Sequence, residues 1–271
     1  MQKVSEIIAM IEANKDNMEF LKTGFPTVDE KLDGGFLRKE LVILGGQTGI
    51  GKSYIASQIM FNIARDGFKT CYFSLEISNE MLVSRLLGSV ANLKSTRVRS
   101  GLLTLIELEQ LQTAKGKVQA YEDYLSFYDN TYNFSEIKKE ILANKYEFIV
   151  IDFIQNVYAP GSDEYSRLSK VALDLQKLAK EADCCILALS QLSNMVVREG
   201  IESKNLEYKG SGNIQTVCDL GFLIERSFGN DGKHNDDIKL VLKKNRRGIG
   251  HLNFYLIFQH PGGWIYEQTE N

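Results

Sequence analysis

The sequence predicts an α/β fold: a largely parallel central sheet flanked by helices, with antiparallel strands at the C-terminal edge. Apolar runs alternate with helix-period segments between residues 41 and 190. Those runs are almost continuously apolar, as strands buried on both faces must be. From about residue 218, "DLGFLIER", "DIKLVLKK" and "HLNFYLIF" follow one another across turn residues, the pattern of antiparallel hairpins.

Taken in order, residues 3–21 carry Val4, Ile7, Ile8, Ile11 and Leu21 at helical spacing and predict an amphipathic helix set off by "KTGFP". This divides the chain into an N-terminal helix or linker, 1–22, and a main domain, 23–271. Thr27 and Glu30 have capping-box spacing and open a short helix that stops at "DGGF". Strands are expected at 41–45, 70–74, 124–128, 147–152 and 185–190, with helical patterns between most of them. The clearest helix spans 164–182, with Leu168, Val171, Ala172, Leu175, Leu178 and Ala179 along one face.

Composition narrows the function. With 271 residues, 44% hydrophobic and 25% charged, the chain can bury a sizeable core. A net charge of −3 provides no global cationic field, so any polyanion site must be local. Cys71, Cys184, Cys185 and Cys218 lie in or beside apolar stretches without CxxC spacing, which reads as reduced core thiols. The N-terminus has acidic residues and a helical period in place of a signal-type apolar segment, and no apolar run approaches the ~18 residues of a membrane span. A cytoplasmic protein without membrane contact is expected.

The stretch "LVILGGQTGIGKSYIASQIM" joins an apolar strand to an amphipathic helix through glycines, a lysine and a hydroxyl. Gly46, Gly51, Lys52 and Ser53 fit GxxxxGK[ST], the phosphate-binding P-loop. Glycines let backbone N–H groups curl around a phosphate, and the following helix presents its positive end. Lysine reaches the β/γ oxygens, and the serine can hold Mg2+. The four fixed positions match by chance in roughly one chain of this length in a hundred. The candidate nucleotide-binding run is therefore Gly46, Gln47, Thr48, Gly49, Ile50, Gly51, Lys52, Ser53 and Tyr54.

Hydrolysis needs carboxylates as well. "FIVID" is an apolar strand ending in Asp152, which suits a Walker B carboxylate in the Mg2+ shell beside Ser53. "CYFSLE" places Glu76 at a strand tip expected beside the P-loop strand, where it could polarise water.

Several segments together resemble the RecA-like motor domain of DnaB-type replicative helicases. They are "TGFPTVDEKLDGGFLRKELVILGGQTGIGKS", "FSLEISNEMLVSRLL", "FIVIDFIQ", "ILALSQLS", "KGSGNIQTVCDLGFLIER" and "LVLKKNRRGIGHLNF", and they occur in the family's order across about residues 22–260. The resemblance implies a RecA-like P-loop ATPase that uses ATP and Mg2+ to move along single-stranded DNA. It implies that Glu76 activates water, that Arg85 lies near the phosphates and that Gln191 senses the γ-phosphate. It also implies that Lys244 and Arg246 reach into a neighbouring subunit's ATP, within a homo-oligomeric, hexameric ring. An arginine supplied from the next subunit makes hydrolysis depend on assembly. A one-residue shift would exchange Arg246 with Arg247, or Lys244 with Lys243.

The segment from Ser193 to Gly212 corresponds to a central-channel DNA loop in the family, and the contacts map to Lys209, Gly210 and Gly212. Lysine stands there for the usual arginine, keeping the charge without the bidentate fork. Full-length family members carry a further helical domain, whereas about 20 residues precede the motor region here. A short phage- or plasmid-type form, or a truncated chain, would look this way, and a helicase loader or primase is an implied partner. Two rival readings stay open: a RadA- or KaiC-like ATPase switch that assembles or remodels partners, and a P-loop small-molecule kinase. GTPase and ABC-transporter readings lack support, since neither NKxD nor LSGGQ follows the P-loop.

Overall fold

The computed structural model describes residues 3–14, 19–161, 163–191, 216–229 and 234–268. The proposed DNA-contact positions Lys209, Gly210 and Gly212 lie outside the described residues.

One nine-stranded sheet organises the chain, in the order β3-β2-β4-β5-β1-β6-β7-β8-β9. The parallel part comprises β1 (Leu41–Gly46), β2 (Thr70–Ser74), β3 (Leu125–Tyr128), β4 (Phe148–Asp152), β5 (Cys185–Gln191) and β6 (Leu220–Glu225). The antiparallel edge is formed by β7 (Asp237–Asn245), β8 (Leu252–Gln259) and β9 (Trp264–Glu267). The expected strands are all present, and the hairpins fall at the C-terminal edge. β9, only four residues long, has no counterpart in the sequence expectation.

Pleating sends alternate residues of the buried strands into two separate cores. Val42 and Leu44 of β1 join Ile55, Ile59 and Ile63 of α3 (Lys52–Arg65) on one face. Leu41 and Ile43 join Leu168, Val171 and Leu175 of α8 (Glu164–Glu181) on the other, beside Ile137 and Ile141 of α7 (Phe134–Asn144). All four cysteines are buried and free, as expected. A satellite of helices, α4 (Asn79–Ala91), α5 (Ser95–Ser100) and α6 (Leu105–Gln119), packs around Leu93, Leu111 and Ala114.

Three local expectations are corrected. The N-terminal helix is α1 (Val4–Asn14), so it does not extend to residue 21. Leu21 instead exchanges backbone hydrogen bonds with Phe36 and is fully buried in the main core. The expected Thr27–Glu30 capping box does not form. Helix α2 (Pro26–Lys31) begins on proline, and Asp29 turns back to accept from Thr23 N, Thr23 Oγ1 and Gly24 N. A fixed proline φ starts the helix without a side-chain cap, leaving the carboxylate to close the preceding turn. A true capping box lies elsewhere, between Thr104 and Glu107 at the start of α6. Finally, β2 is not beside β1: β4 and β5 separate them. Helix α3 packs over β1, β5, β4 and β2, which carries the chain past two strand positions before it re-enters the sheet.

Candidate active site

The topology brings four strand ends together at one edge. Gly46 at the end of β1 pairs with Gln191 at the end of β5, and Ser74 at the end of β2 pairs with Asp152 at the end of β4. The carboxyl ends of parallel strands are where α/β sheets place their ligands. Here they border a cavity of about 300 Å3. It is lined by Thr48, Gly49, Gly51, Lys52, Ser53 and Tyr54 of the glycine-rich loop, and by Glu76, Arg85, Asp152 and Gln191. Gly46, Gln47 and Ile50 shape the loop beneath. Ile77 also lines the cavity, a position that sequence reasoning did not single out.

The loop depends on its glycines at two points. A methyl group on Gly46 would lie 2.9 Å from Ile50 Cγ2. Gly51 is the N-cap of α3 with φ +110°, a conformation that side-chain-bearing residues rarely adopt. No side chain caps this helix, so its positive end borders the cavity.

Lys52 is buried, and its ammonium donates to Gly46 O (2.9 Å) and Gln47 O (2.8 Å), staying within the loop it follows. Burial pulls its pKa down to about 8, against the opposing charges of Asp152 and Glu76. Asp152 is buried at the end of β4, and burial raises its pKa. Hydrogen bonds from Tyr72 and Ser53 and the charges of Lys52 and Arg85 work the other way. Glu76, by contrast, is exposed at the mouth. Although β2 is three strand positions from β1, the turn after β2 still carries Glu76 into the cavity. Arg85 lies over the Tyr54 ring, 5.8 Å from its centroid.

Several supporting residues escaped the sequence reading. Tyr72 OH donates to Asp152 Oδ2 at 2.6 Å. Gln155 Nε2 donates to Ser190 Oγ (3.1 Å) and Gln191 O (3.2 Å), and its Oε1 accepts from Gln191 N (3.3 Å), which holds Gln191 against the site. Asn156 Nδ2 donates to Leu75 O at 2.8 Å, just before Glu76. Arg226 Nη1 donates to Ile50 O at 3.3 Å, and its guanidinium lies 5.1 Å from the Phe258 ring centroid. Phe258 in turn meets Tyr54 edge-on, with 5.1 Å between centroids. Gln155 and Arg226 stand in the quoted runs "FIVIDFIQ" and "DLGFLIER", but nothing about their spacing announces these contacts.

Lys244 and Arg246 do not join the cavity. β7 runs antiparallel to β6, so its end meets the start of β6: Leu220 pairs with Asn245, and Asp219 N donates to Leu41 O at the opposite end of β1 from the P-loop. There Lys244 Nζ donates to Thr216 O (2.6 Å), and Arg246 Nη1 donates to Asp219 Oδ1 (2.6 Å). Arg247 is committed elsewhere: it donates to Leu32 O and Gly35 O, both at 3.0 Å, and its Nε lies 3.0 Å from Glu40 Oε1.

A glycine-rich phosphate loop, a buried aspartate two strands away and a glutamate beyond it, all at the carboxyl edge of one sheet, define a P-loop ATPase domain of the RecA-like class. Its family follows from sequence: residues 21–260 match the model of the DnaB-like helicase C terminal domain, and the chain belongs to that family. Among curated relatives, it is 28% identical over 254 residues to the replicative DNA helicase DnaB of Treponema pallidum (strain Nichols), covering 90% of this chain and 56% of the relative. It is 29% identical over 255 residues to the replicative DNA helicase DnaB of Geobacillus stearothermophilus, covering 86% and 56%. The chain thus spans a little over half the length of these relatives. The fold agrees with a solved structure whose title describes an ATPase domain, with a TM-score of 0.88, 18% identity and coverage of 99% of this chain and 100% of that one. A KaiC-like protein from Pyrococcus horikoshii OT3 shares the fold at a TM-score of 0.64, 17% identity and coverage of 93% and 100%. Among the described residues, no helix is long and apolar enough to cross a membrane.

Proposed function

We propose that residues 23–271 are the motor of a replicative DNA helicase, coupling ATP hydrolysis to movement along single-stranded DNA within a hexameric ring, with residues 1–22 as a linker. The observation that carries this reading is the separation of the machinery into two halves on opposite ends of one sheet. At about 3.3 Å per residue, the strand from Leu41 to Gly46 puts those ends roughly 17 Å apart. Lys244 and Arg246 therefore face away from their own cavity and are placed to serve a neighbour's. The exposed apolar side chains Val4, Ile7, Ile8 and Met10 of α1 offer a second surface for a neighbouring copy.

In the cavity, Lys52 exchanges the loop carbonyls for phosphate oxygens, and the helix end and loop amides cradle the polyphosphate. The donor set fits Mg2+: a buried carboxylate and a helix N-terminal hydroxyl in contact with each other are hard oxygen donors. Ser53 and Asp152 would hold the ion, which, when bound, bridges phosphate oxygens and offsets their charge. Glu76 orients and deprotonates the attacking water, Gln191 reads the terminal phosphate, and Arg85 adds positive charge beside it. Phe258 and Tyr54, with Arg226, present flat apolar and cationic faces suited to a nucleobase. DNA contact falls to Lys209, Gly210 and Gly212 by family resemblance. One structural relative is titled with its interactions with primase, at a TM-score of 0.83, 18% identity and coverage of 98% of this chain and 67% of that one. A primase or loader is the corresponding partner here, in a cytoplasmic setting. The family match favours the helicase reading over the switch, since a shared fold alone does not separate the two.

Mass photometry with and without ATP and single-stranded DNA, paired with ATP turnover, tests this reading. Ring-sized particles and DNA-stimulated turnover are expected. A monomer that hydrolyses ATP at full rate, indifferent to DNA, would overturn it.

A further inference from the structure

We propose that Tyr72 is a positioning residue for the catalytic divalent cation: its hydroxyl fixes Asp152 and Ser53 in the arrangement that would receive the ion. This rests on the ATPase reading of the cavity.

The strand register explains how a core tyrosine reaches the site. Ser74 pairs with Asp152 across β2 and β4, and Tyr72 pairs with Val150 one pleat earlier. Residues two apart share a face, so Tyr72 and Ser74 project to the same side of the sheet. The side chain of Tyr72 is fully buried, in the core cluster that also holds Ile55, Ile59 and Met60 of α3. That apolar setting would accept phenylalanine equally well. The hydroxyl is the one polar atom of the ring, and it donates to Asp152 Oδ2 at 2.6 Å. It is also hydrogen-bonded to Ser53, which bonds Asp152 in turn. One phenol thus touches both groups that would hold the cation.

A carboxylate at a strand end can rotate about its χ angles, whereas a ring wedged in a packed core cannot. A phenol buried without a partner is costly, so its hydroxyl is retained in an apolar cluster where it finds one. The hydrogen bond passes the rigidity of the core to Asp152. Partners of this outer-shell kind orient a metal ligand, and removing one typically weakens metal affinity about ten- to a hundred-fold.

The probe is Mn2+, whose free-ion electron paramagnetic resonance signal disappears on binding, titrated in the presence of a non-hydrolysable ATP analogue. Tyr72→Phe is expected to weaken Mn2+ about ten- to a hundred-fold while leaving metal-free ADP affinity unchanged. In an Asp152→Asn background the same substitution should have no further effect, because the carboxylate through which Tyr72 acts is gone. Unchanged Mn2+ affinity in Tyr72→Phe overturns the proposal, and so does an equal loss in both backgrounds. Tyr72→Ile provides a second hydroxyl-free variant. If circular dichroism shows that neither variant folds, Tyr72 is a structural residue and the proposal fails. A wild-type chain that binds neither nucleotide nor Mn2+ sinks the ATPase reading instead.

Discussion

Arg247 Nε lies 3.0 Å from Glu40 Oε1, and this pairing separates two adjacent arginines that sequence alone leaves interchangeable. Arg247 also donates to Leu32 O and Gly35 O and is only 19% exposed at its side chain, so it ties the β7 end to the turn after α2. Arg246 is 45% exposed, held by Asp219 at the surface. The first is a clamp within the chain, and the second is free to be offered to another copy.

Arg247→Ala should therefore destabilise the fold by roughly 2–4 kcal/mol, because it leaves the buried Glu40 carboxylate without its cation and two carbonyls without donors. Arg246→Ala should cost less than about 1 kcal/mol, as expected for a half-exposed pair. Urea unfolding midpoints of the two variants check this, and equal losses would contradict the division of roles.

Glu76→Gln keeps the size of the side chain and removes the base. ATP analogue binding should stay near wild type while kcat falls about a hundred- to ten-thousand-fold. Fluorescent analogue titration and steady-state turnover separate the two quantities. Parallel loss of both would assign Glu76 a structural role.

Lys52 gives the cavity a pH dependence. Burial holds its pKa at about 8, and incoming phosphates, being negative, raise it in the complex. The complex then binds more protons than the free protein at pH values above about 8, so nucleotide affinity is level below that point and falls as pH rises through it, by up to about tenfold per unit. Analogue titrations from about pH 6.5 to 9.5 read this directly. Lys52→Ala should lose turnover and flatten the profile, and a flat wild-type profile would contradict the assignment.

Much of this site is legible in the sequence because its parts are local. The P-loop is one contiguous run, and Asp152 and Gln191 each end an apolar strand. What could not be read depends on order across the sheet. Glu76 was expected beside the P-loop strand, yet β4 and β5 lie between, since a crossover helix does not encode how many strand positions it passes. The Thr27–Glu30 spacing matched a cap that Pro26 and Asp29 make unnecessary, and the Thr104–Glu107 cap that does form was overlooked. Tyr72 read as one more aromatic in an apolar strand, because a side-chain hydrogen bond across strands leaves no mark on spacing.

The central claim is that each catalytic cavity is completed by a second copy, and subunit mixing tests it most directly. Glu76→Gln has a dead cavity and intact Lys244 and Arg246, while Arg246→Ala has an intact cavity and a missing finger. Each alone should hydrolyse ATP poorly. Mixed, they should regain turnover at interfaces where an intact cavity meets an intact Arg246. Mixtures no more active than the sum of their parts, under conditions where mixed assembly is demonstrated, would contradict the account.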